Sequence, residues 1–408
     1  MQDAPPPLLS ANAHIVIPPA AFTGRLPGKW ADRAPKLVTR EDVGGQGWLF
    51  EGRQGRLHRT CLMAGAVNEP SWRDDVAGFH RNSAHAELRP GSWDPKHRLA
   101  DMDADGVTVV ASTMDPGGMG FAGDVMSATD EPELSFAVVR AWNNWYHEEW
   151  VSAAPDRFIP VGYVSYLDPE QAAAEVRRNA ERGFKGVALR DPADLNLPWF
   201  GTGHWDPLLR ACEETSTVIV HHTEPAPWMK GAPPEIAGNA PFSYPMGQTL
   251  YQLEAAQFVN SMLFSGALTR FPTLKVLVTE SGGSWLPHYL RRLQWTREHS
   301  PLTRNGWPDP DREPGEIVRE NCWFSTQELD VPFDLAELGL TNWLFEDDYP
   351  HIESIWPNTS RQFDAATADR PADQIEQLAW RTGSSLFNFP MPAPGTGRGE
   401  AARTSPRT

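Results

Sequence analysis

Cysteine is scarce, long apolar runs are missing and basic residues are outnumbered, and each shortage removes a class of function. The three cysteines, Cys61, Cys212 and Cys322, are an odd number without close spacing. Neither a disulfide framework nor a thiolate zinc knuckle is expected from them, and they fit the reduced thiols of a cytoplasmic protein. No run reaches the roughly 18 consecutive apolar residues that a membrane-spanning helix needs. Lysine and arginine total 36 against 53 acidic residues, a formal charge of −17, which argues against nucleic acid or an anionic membrane as partner. Residues Met1–Pro7 lack the basic and apolar regions of a secretory signal.

What is present suits a soluble enzyme acting on a small molecule. Hydrophobic residues make up 40% of the 408 positions and charged ones 22%, enough for a sizeable core. Proline (38) and tryptophan (17) are both abundant. They imply rigid loops and bulky core filler, or aromatic-lined loops over an apolar ligand.

Short apolar runs alternate with helical patterns. The expected strands are Leu8–Ala11, Val107–Met114, Phe158–Tyr166, Gly186–Arg190, Thr217–His222, Leu274–Glu280, Cys322–Thr326 and Trp343–Asp347. Helical periodicity is clearest over Glu131–Ala154, Pro169–Arg182, Asp206–Glu214, Tyr251–Arg270, Trp285–Glu298 and Pro371–Leu386. Eight alternating units imply a parallel sheet of the number that closes into an α/β (β/α)₈ TIM barrel. No glycine-rich phosphate loop follows the first strand, which weighs against an open dinucleotide-binding sheet. Residues 1–388 read as one such barrel, with 18–97 as a long insertion after strand one that forms part of a lid, and 389–408 as a disordered tail.

In a parallel barrel the chemistry gathers where strands end. Strand one runs into Asn12 and His14, two apart and so on one face. Strand five ends in His221 and His222, of which alternation admits only one to the interior. Strand six ends at Glu280, and strand eight runs into Glu346, Asp347, Asp348 and, beyond them, His351. Imidazole and carboxylate groups meeting at one rim, with His14, His221, Glu280 and Asp348 foremost, suit a divalent transition metal. His222 and His351 border that rim and could touch substrate.

The blocks SANAHIVIPP, RLADMDADGV, APDRFIPVG, RGFKGVALR, LFSGALTRFPTLKVLVTESGGSWLPHYLRRL and DDYPHIESIWP occur in order between residues 10 and 357, within a likeness that runs from about residue 10 to 388. Together they resemble the amidohydrolase-related family, in the branch that includes aminocarboxymuconate-semialdehyde decarboxylase and γ-resorcylate decarboxylase. The resemblance implies a metal-bearing barrel that removes CO₂ from small aromatic or conjugated carboxylic acids, commonly as a homodimer. It assigns metal ligation, by zinc or manganese, to Asn12, His14, His221 and Asp348. Glu280 falls at the proton-transfer position, with His222 and His351 beside it.

Three positions depart from the family pattern. Asn12 is neutral where an acid or imidazole is usual, Ile17 stands where many relatives have glutamate, and Gly383 stands where an asparagine is often found. Asn12 matters most, because it leaves Asp348 as the one charged ligand unless Glu280 also binds. Besides decarboxylation, the same residues would serve a hydrolase of an amide, ester or C–C bond. Loss of the metal through Asn12 would leave a cyclase, an isomerase or a binding protein.

Overall fold

The computed structural model describes residues 5–41, 44–55, 57, 64, 83–115, 120, 123–223, 246, 249–299, 306–329, 331–336 and 338–392. Eight strands form one parallel sheet: β1 (Leu9–Ile15), then β5 (Val109–Met114), β6 (Phe158–Gly162), β7 (Gly186–Ala188), β8 (Val218–His222), β9 (Val276–Thr279), β10 (Cys322–Thr326) and β11 (Trp343–Phe345), neighbours in that order. Backbone bonds from His14 N–H to Tyr349 O (2.7 Å) and from Asp348 N–H to Asn12 O (3.1 Å) join the last unit to the first. The sheet is therefore a barrel, as expected. The intervening strands β2 (Lys36–Arg40), β3 (Gly45–Phe50) and β4 (Arg53–Gln54) make a separate antiparallel sheet within the insertion.

Local chemistry sets the main helix boundaries. Helix α1 (Pro95–Asp105) starts behind the Asp94 side chain, which accepts from His97 N–H, and ends at Gly106, whose φ of 77° closes the last turn. Helix α2 (Pro132–Trp145) runs on through a π-turn, Tyr146–Trp150, where the Tyr146 hydroxyl donates to Ser112 O at 2.8 Å. Helix α3 (Pro169–Glu181) begins with proline behind the Asp168 cap, and α4 covers Asp206–Thr215. The long helix expected over Tyr251–Arg270 is broken at Gly266, which takes φ 69°, leaving α5 (Gln252–Phe264) and a short turn. Helices α6 (Leu286–His299), α7 (Pro314–Asn321), α8 (Thr359–Thr367) and α9 (Thr382–Phe387) complete the outer layer.

Alternation along the strands sorts side chains between two apolar layers. Val187, Leu189, Ile219, Val276, Val278 and Phe345 face the helices, whereas Ala188, Val220, Leu277 and Leu344 face the barrel interior. The interior is narrow: a Cβ on Gly186 would lie 3.0 Å from a Val220 methyl. Gly383 meets a similar limit from outside, since its Cβ would fall 2.7 Å from Leu9 Cδ2 where α9 packs on β1. An asparagine would not fit there in this packing. Ile17 is buried in the apolar core just beyond β1. No helix among the described residues is long and apolar enough to cross a membrane. The expected disordered tail lies outside the described residues from 393 onward.

Candidate active site and metal centre

The polar face of β1 carries Ser10, Asn12 and His14 into the end of the barrel toward which all eight strands run. There the donor atoms of His14, His222, Glu280 and Asp348 all lie within 4.8 Å of one another. His14 Nε2 is 3.0 Å from Asp348 Oδ1 and 3.7 Å from Glu280 Oε1. His222 Nε2 is 3.0 Å from Glu280 Oε1. The Asn12 amide donates to Glu280 at 3.1 Å and to Asp348 at 3.3 Å. His351 stacks on His14, ring centroids 4.0 Å apart, and its Nδ1 lies 3.1 Å from Asp348. The structure thus brings together Asn12, His14, Glu280, Asp348, His222 and His351.

It does not bring in His221. In β8 the residues Val218, Val220 and His222 face inward, so Ile219 and His221 face the helices. The His221 ring lies flat against Phe258 of α5, centroids 3.6 Å apart and 3° from parallel. Its Nδ1 meets Leu189 O at 3.1 Å and its Nε2 meets the Glu254 carboxylate at 2.9 and 3.1 Å. Strand parity therefore moves the expected ligand position from His221 to its neighbour. Four tryptophans, Trp199, Trp228, Trp285 and Trp356, are candidates from the sequence for packing a substrate ring; Trp285 sits in the helix layer against Phe324, and Trp356 lies under Arg89. Trp199 is exposed, and Trp228 lies outside the described residues.

The donors suit a divalent cation. His222 Nδ1 is pinned by Thr223 O at 2.6 Å and His14 Nδ1 by the Thr113 hydroxyl at 3.1 Å, which leaves each Nε2 facing the cluster. Asn12 Oδ1 is buried without a hydrogen-bond partner, a neutral oxygen of the kind such a cation takes. The charge that Asn12 lacks is present in Glu280, so two carboxylates can balance two positive charges.

The burial that gathers these groups also strains and shifts them. Glu280 and Asp348, both non-glycine, take φ of 51° and 53° at the ends of their strands, a left-handed conformation that costs about 1 kcal/mol or more each. Burial, followed by the adjoining Glu280 charge, drives the Asp348 carboxyl well above its ordinary range. Burial acts on Glu280 in the same direction. There the His222 charge and hydrogen bonds from His14, His222 and Asp348 outweigh it and hold the carboxyl well below. Burial pushes His14 down to about 4.

The sequence alone gives Glu346 no role beyond its place at the exit of strand eight, and it does not single out Glu254 or Thr113. Glu346 shares parity with Leu344 and Asp348, the signal that could have found it. Its carboxylate accepts from Glu280 N–H at 3.0 Å and from the Ser325 hydroxyl, and burial with the Glu280 charge pushes it up to about 8. Nothing in the pattern of α5 marks Glu254, whose role depends on which histidine turns outward.

Residues 66–389 match the family described as Amidohydrolase. The chain belongs to that family. A 2-amino-3-carboxymuconate-6-semialdehyde decarboxylase from Dictyostelium discoideum is 24% identical over 220 residues, 51% of this chain and 53% of that protein. The match thus spans about half the length of this curated relative. Among solved structures, an amidohydrolase from Mycobacterium avium subsp. paratuberculosis K-10 superposes with TM-score 0.72 at 22% identity, covering 93% of this chain and 99% of that one. A 5-carboxyvanillate decarboxylase from Novosphingobium aromaticivorans, bound to manganese and 4-hydroxy-3-methoxy-5-nitrobenzoic acid, gives TM-score 0.64 at 16% identity over 94% and 96%. At these identities the likeness is one of fold.

Proposed function

We propose that this amidohydrolase-family chain is a non-oxidative decarboxylase of a small aromatic or conjugated carboxylic acid. The observation that carries the reading is the buried donor set, in which Glu280 alone keeps appreciable access to the mouth. Its side chain is 17% exposed, against 0% for His14 and 2% each for His222 and Asp348. His14 Nε2, His222 Nε2 and Asp348 would hold a divalent cation, manganese or zinc, with Asn12 Oδ1 in reach. Such a cation supplies a Lewis acid that grips substrate oxygens and favours negative charge on them. The decarboxylase relative and the manganese-bound neighbour support this reading.

Glu280 then faces the reacting carbon. Glu280, ionised in the free site, takes a proton from solvent once the negatively charged substrate lies beside it; as CO₂ leaves, the electron pair of the broken C–C bond stays on that carbon and Glu280 delivers the proton there, returning to its ionised form. His222 and Asn12 aim the Glu280 carboxyl through their contacts at 3.0 and 3.1 Å. His351 lies stacked on the His14 ring and covers it. The cysteine usage and the family resemblance further point to a cytoplasmic homodimer, which sedimentation and localisation would check.

The test combines metal analysis of protein purified without chelator with CO₂ release from hydroxybenzoic acids in D₂O. Near-stoichiometric metal and a product deuterated at the vacated carbon are expected. Metal-loaded protein that releases no CO₂ from such acids, but puts ¹⁸O from water into a cleaved ester or amide, would replace decarboxylation with hydrolysis.

A further inference from the structure

Helix α1 meets the barrel with an unusual face. A helix that covers a sheet normally buries an apolar stripe, yet α1 turns Arg98, Asp101 and Asp105 inward around Met102. All three belong to the block RLADMDADGV, and all three reach the segment that follows β11. Asp101 accepts from the Tyr349 hydroxyl at 2.5 Å, and its backbone oxygen accepts from Trp356 Nε1 at 3.1 Å. Asp105 accepts from Thr359 N–H at 2.7 Å. Arg98 lays its guanidinium over the Tyr349 ring, 4.4 Å from the centroid.

Arg98 also grips the first strand. Its Nη2 donates to His14 O and its Nε to Gly91 O, the latter at 2.7 Å. His14 N–H in turn donates to Tyr349 O at 2.7 Å. The guanidinium thus touches His14 itself and the residue next to Asp348, whose φ of 53° its surroundings must hold. Tyr349 has little freedom beneath it. Arg89 forks Asp101 at 2.6 and 2.8 Å, and Gly91 closes the remaining space. A Cβ on Gly91 would fall 2.0 Å from Asp101 Oδ2 and 2.5 Å from the Tyr349 hydroxyl.

Such a cation is costly to bury. Arg98 is 1% exposed, its Nη1 is buried without a hydrogen-bond partner, and its hydrogen bonds among the described residues go to two backbone carbonyls. An apolar side chain would fill the same space without that penalty. It would not hold a carbonyl of one strand and an aromatic face beyond another in fixed relation, as a planar guanidinium does.

We propose that Arg98 is a positioning residue of the metal centre: through the His14 carbonyl and the Tyr349 ring it fixes how far apart His14 Nε2 and the Asp348 carboxylate stand. This rests on the metal-binding reading of that site and on no step of the decarboxylation. An imidazole and a carboxylate carried on separate strands bind one cation tightly only if their separation is set before it arrives.

The test is Mn²⁺ binding to metal-free protein by calorimetry, with the electron paramagnetic resonance spectrum of the bound ion reporting ligand geometry. Arg157→Lys is the matched control, since Arg157 is also buried and donates to Val107 O and Thr108 O at the entry to β5, the far end of the barrel. Both lysine variants should lower the urea midpoint. Arg98→Lys alone should weaken Mn²⁺ binding, by about tenfold or more, and change the spectrum. Tyr349→Phe keeps the ring but releases it from Asp101. It should act in the same direction to a smaller extent, and it decides the question if Arg98→Lys does not fold. Unchanged affinity and spectrum in the folded variants overturn the proposal, and so does an equal weakening in Arg157→Lys. Unaltered protein that takes up neither Mn²⁺ nor Zn²⁺ removes the metal-binding reading itself, and the proposal with it.

Discussion

The two faces of β8 each carry a histidine paired with a carboxylate, and their surroundings make them opposites. On the outer face His221 and Glu254 meet one to one, both ring nitrogens are engaged, and Phe258 covers the ring. On the inner face His222 and Glu280 meet at a similar distance, but Asn12, His14, Asp348 and His351 crowd the same carboxylates. A pair with every valence filled locks a strand to a helix. A pair whose oxygens are shared among several donors is poised to exchange a proton or take a cation. Residue type alone does not separate the cases; strand parity does.

The comparison breaks most sharply at the inner face. Asp348→Asn or His222→Ala should lower metal occupancy, measured by elemental analysis, and reduce CO₂ release by about 10³-fold or more. Glu280→Gln should cut the rate by about 10²- to 10³-fold and weaken metal binding less than Asp348→Asn does, because it removes one of the two carboxylate charges while its amide oxygen still accepts from Asn12. At the outer face Glu254→Ala should cost about 3 kcal/mol in denaturant unfolding, the price of stranding a buried partner. Metal per chain in the folded fraction should stay unchanged. If instead Glu254→Ala empties the metal site at unaltered stability, the two faces are not independent.

A smaller effect comes from a buried carboxyl with no histidine at all. Asp105 accepts from Thr359 N–H at 2.7 Å, its second oxygen has no partner, and burial pushes it up to about 7. A folded-state value above the unfolded one means that the folded protein binds the extra proton, so stability falls as pH rises from about 4 to about 7. Asp105→Asn should remove that slope. It should stabilise the protein by about 2 kcal/mol at pH 8 and scarcely at all near pH 4, as read by urea midpoints.

The fold was legible because its signals are local. All eight barrel strands appear within a few residues of the apolar runs that announce them, and Cys322–Thr326 coincides with its run. Asp168 with Pro169 marks the start of α3 for reasons contained in two residues. Less was legible where packing decides. The insertion's antiparallel sheet lies in Gly- and Arg-containing segments with little alternation, and Gly266 splits what reads as one helix. The candidate site was legible for residues fixed by a single strand exit, as with Asn12, His14, Glu280 and Asp348. The choice between His221 and His222 depends on the phase of β8 against its neighbours, and one residue of phase reverses the face. Glu254 could be found only after that choice was made.

The seam of the barrel has one further consequence. His14 and Asp348 stand 334 positions apart, yet they face each other at 3.0 Å beside the backbone bonds that join the first strand to the last unit. A cation shared by them acts as a clasp on a loop spanning most of the chain, and holding so long a loop shut adds to the stability of the folded state. Chelation should therefore show itself in amide exchange at β1 and just beyond β11 before it reaches the opposite wall. The ends of the barrel are fastened where its chemistry is done.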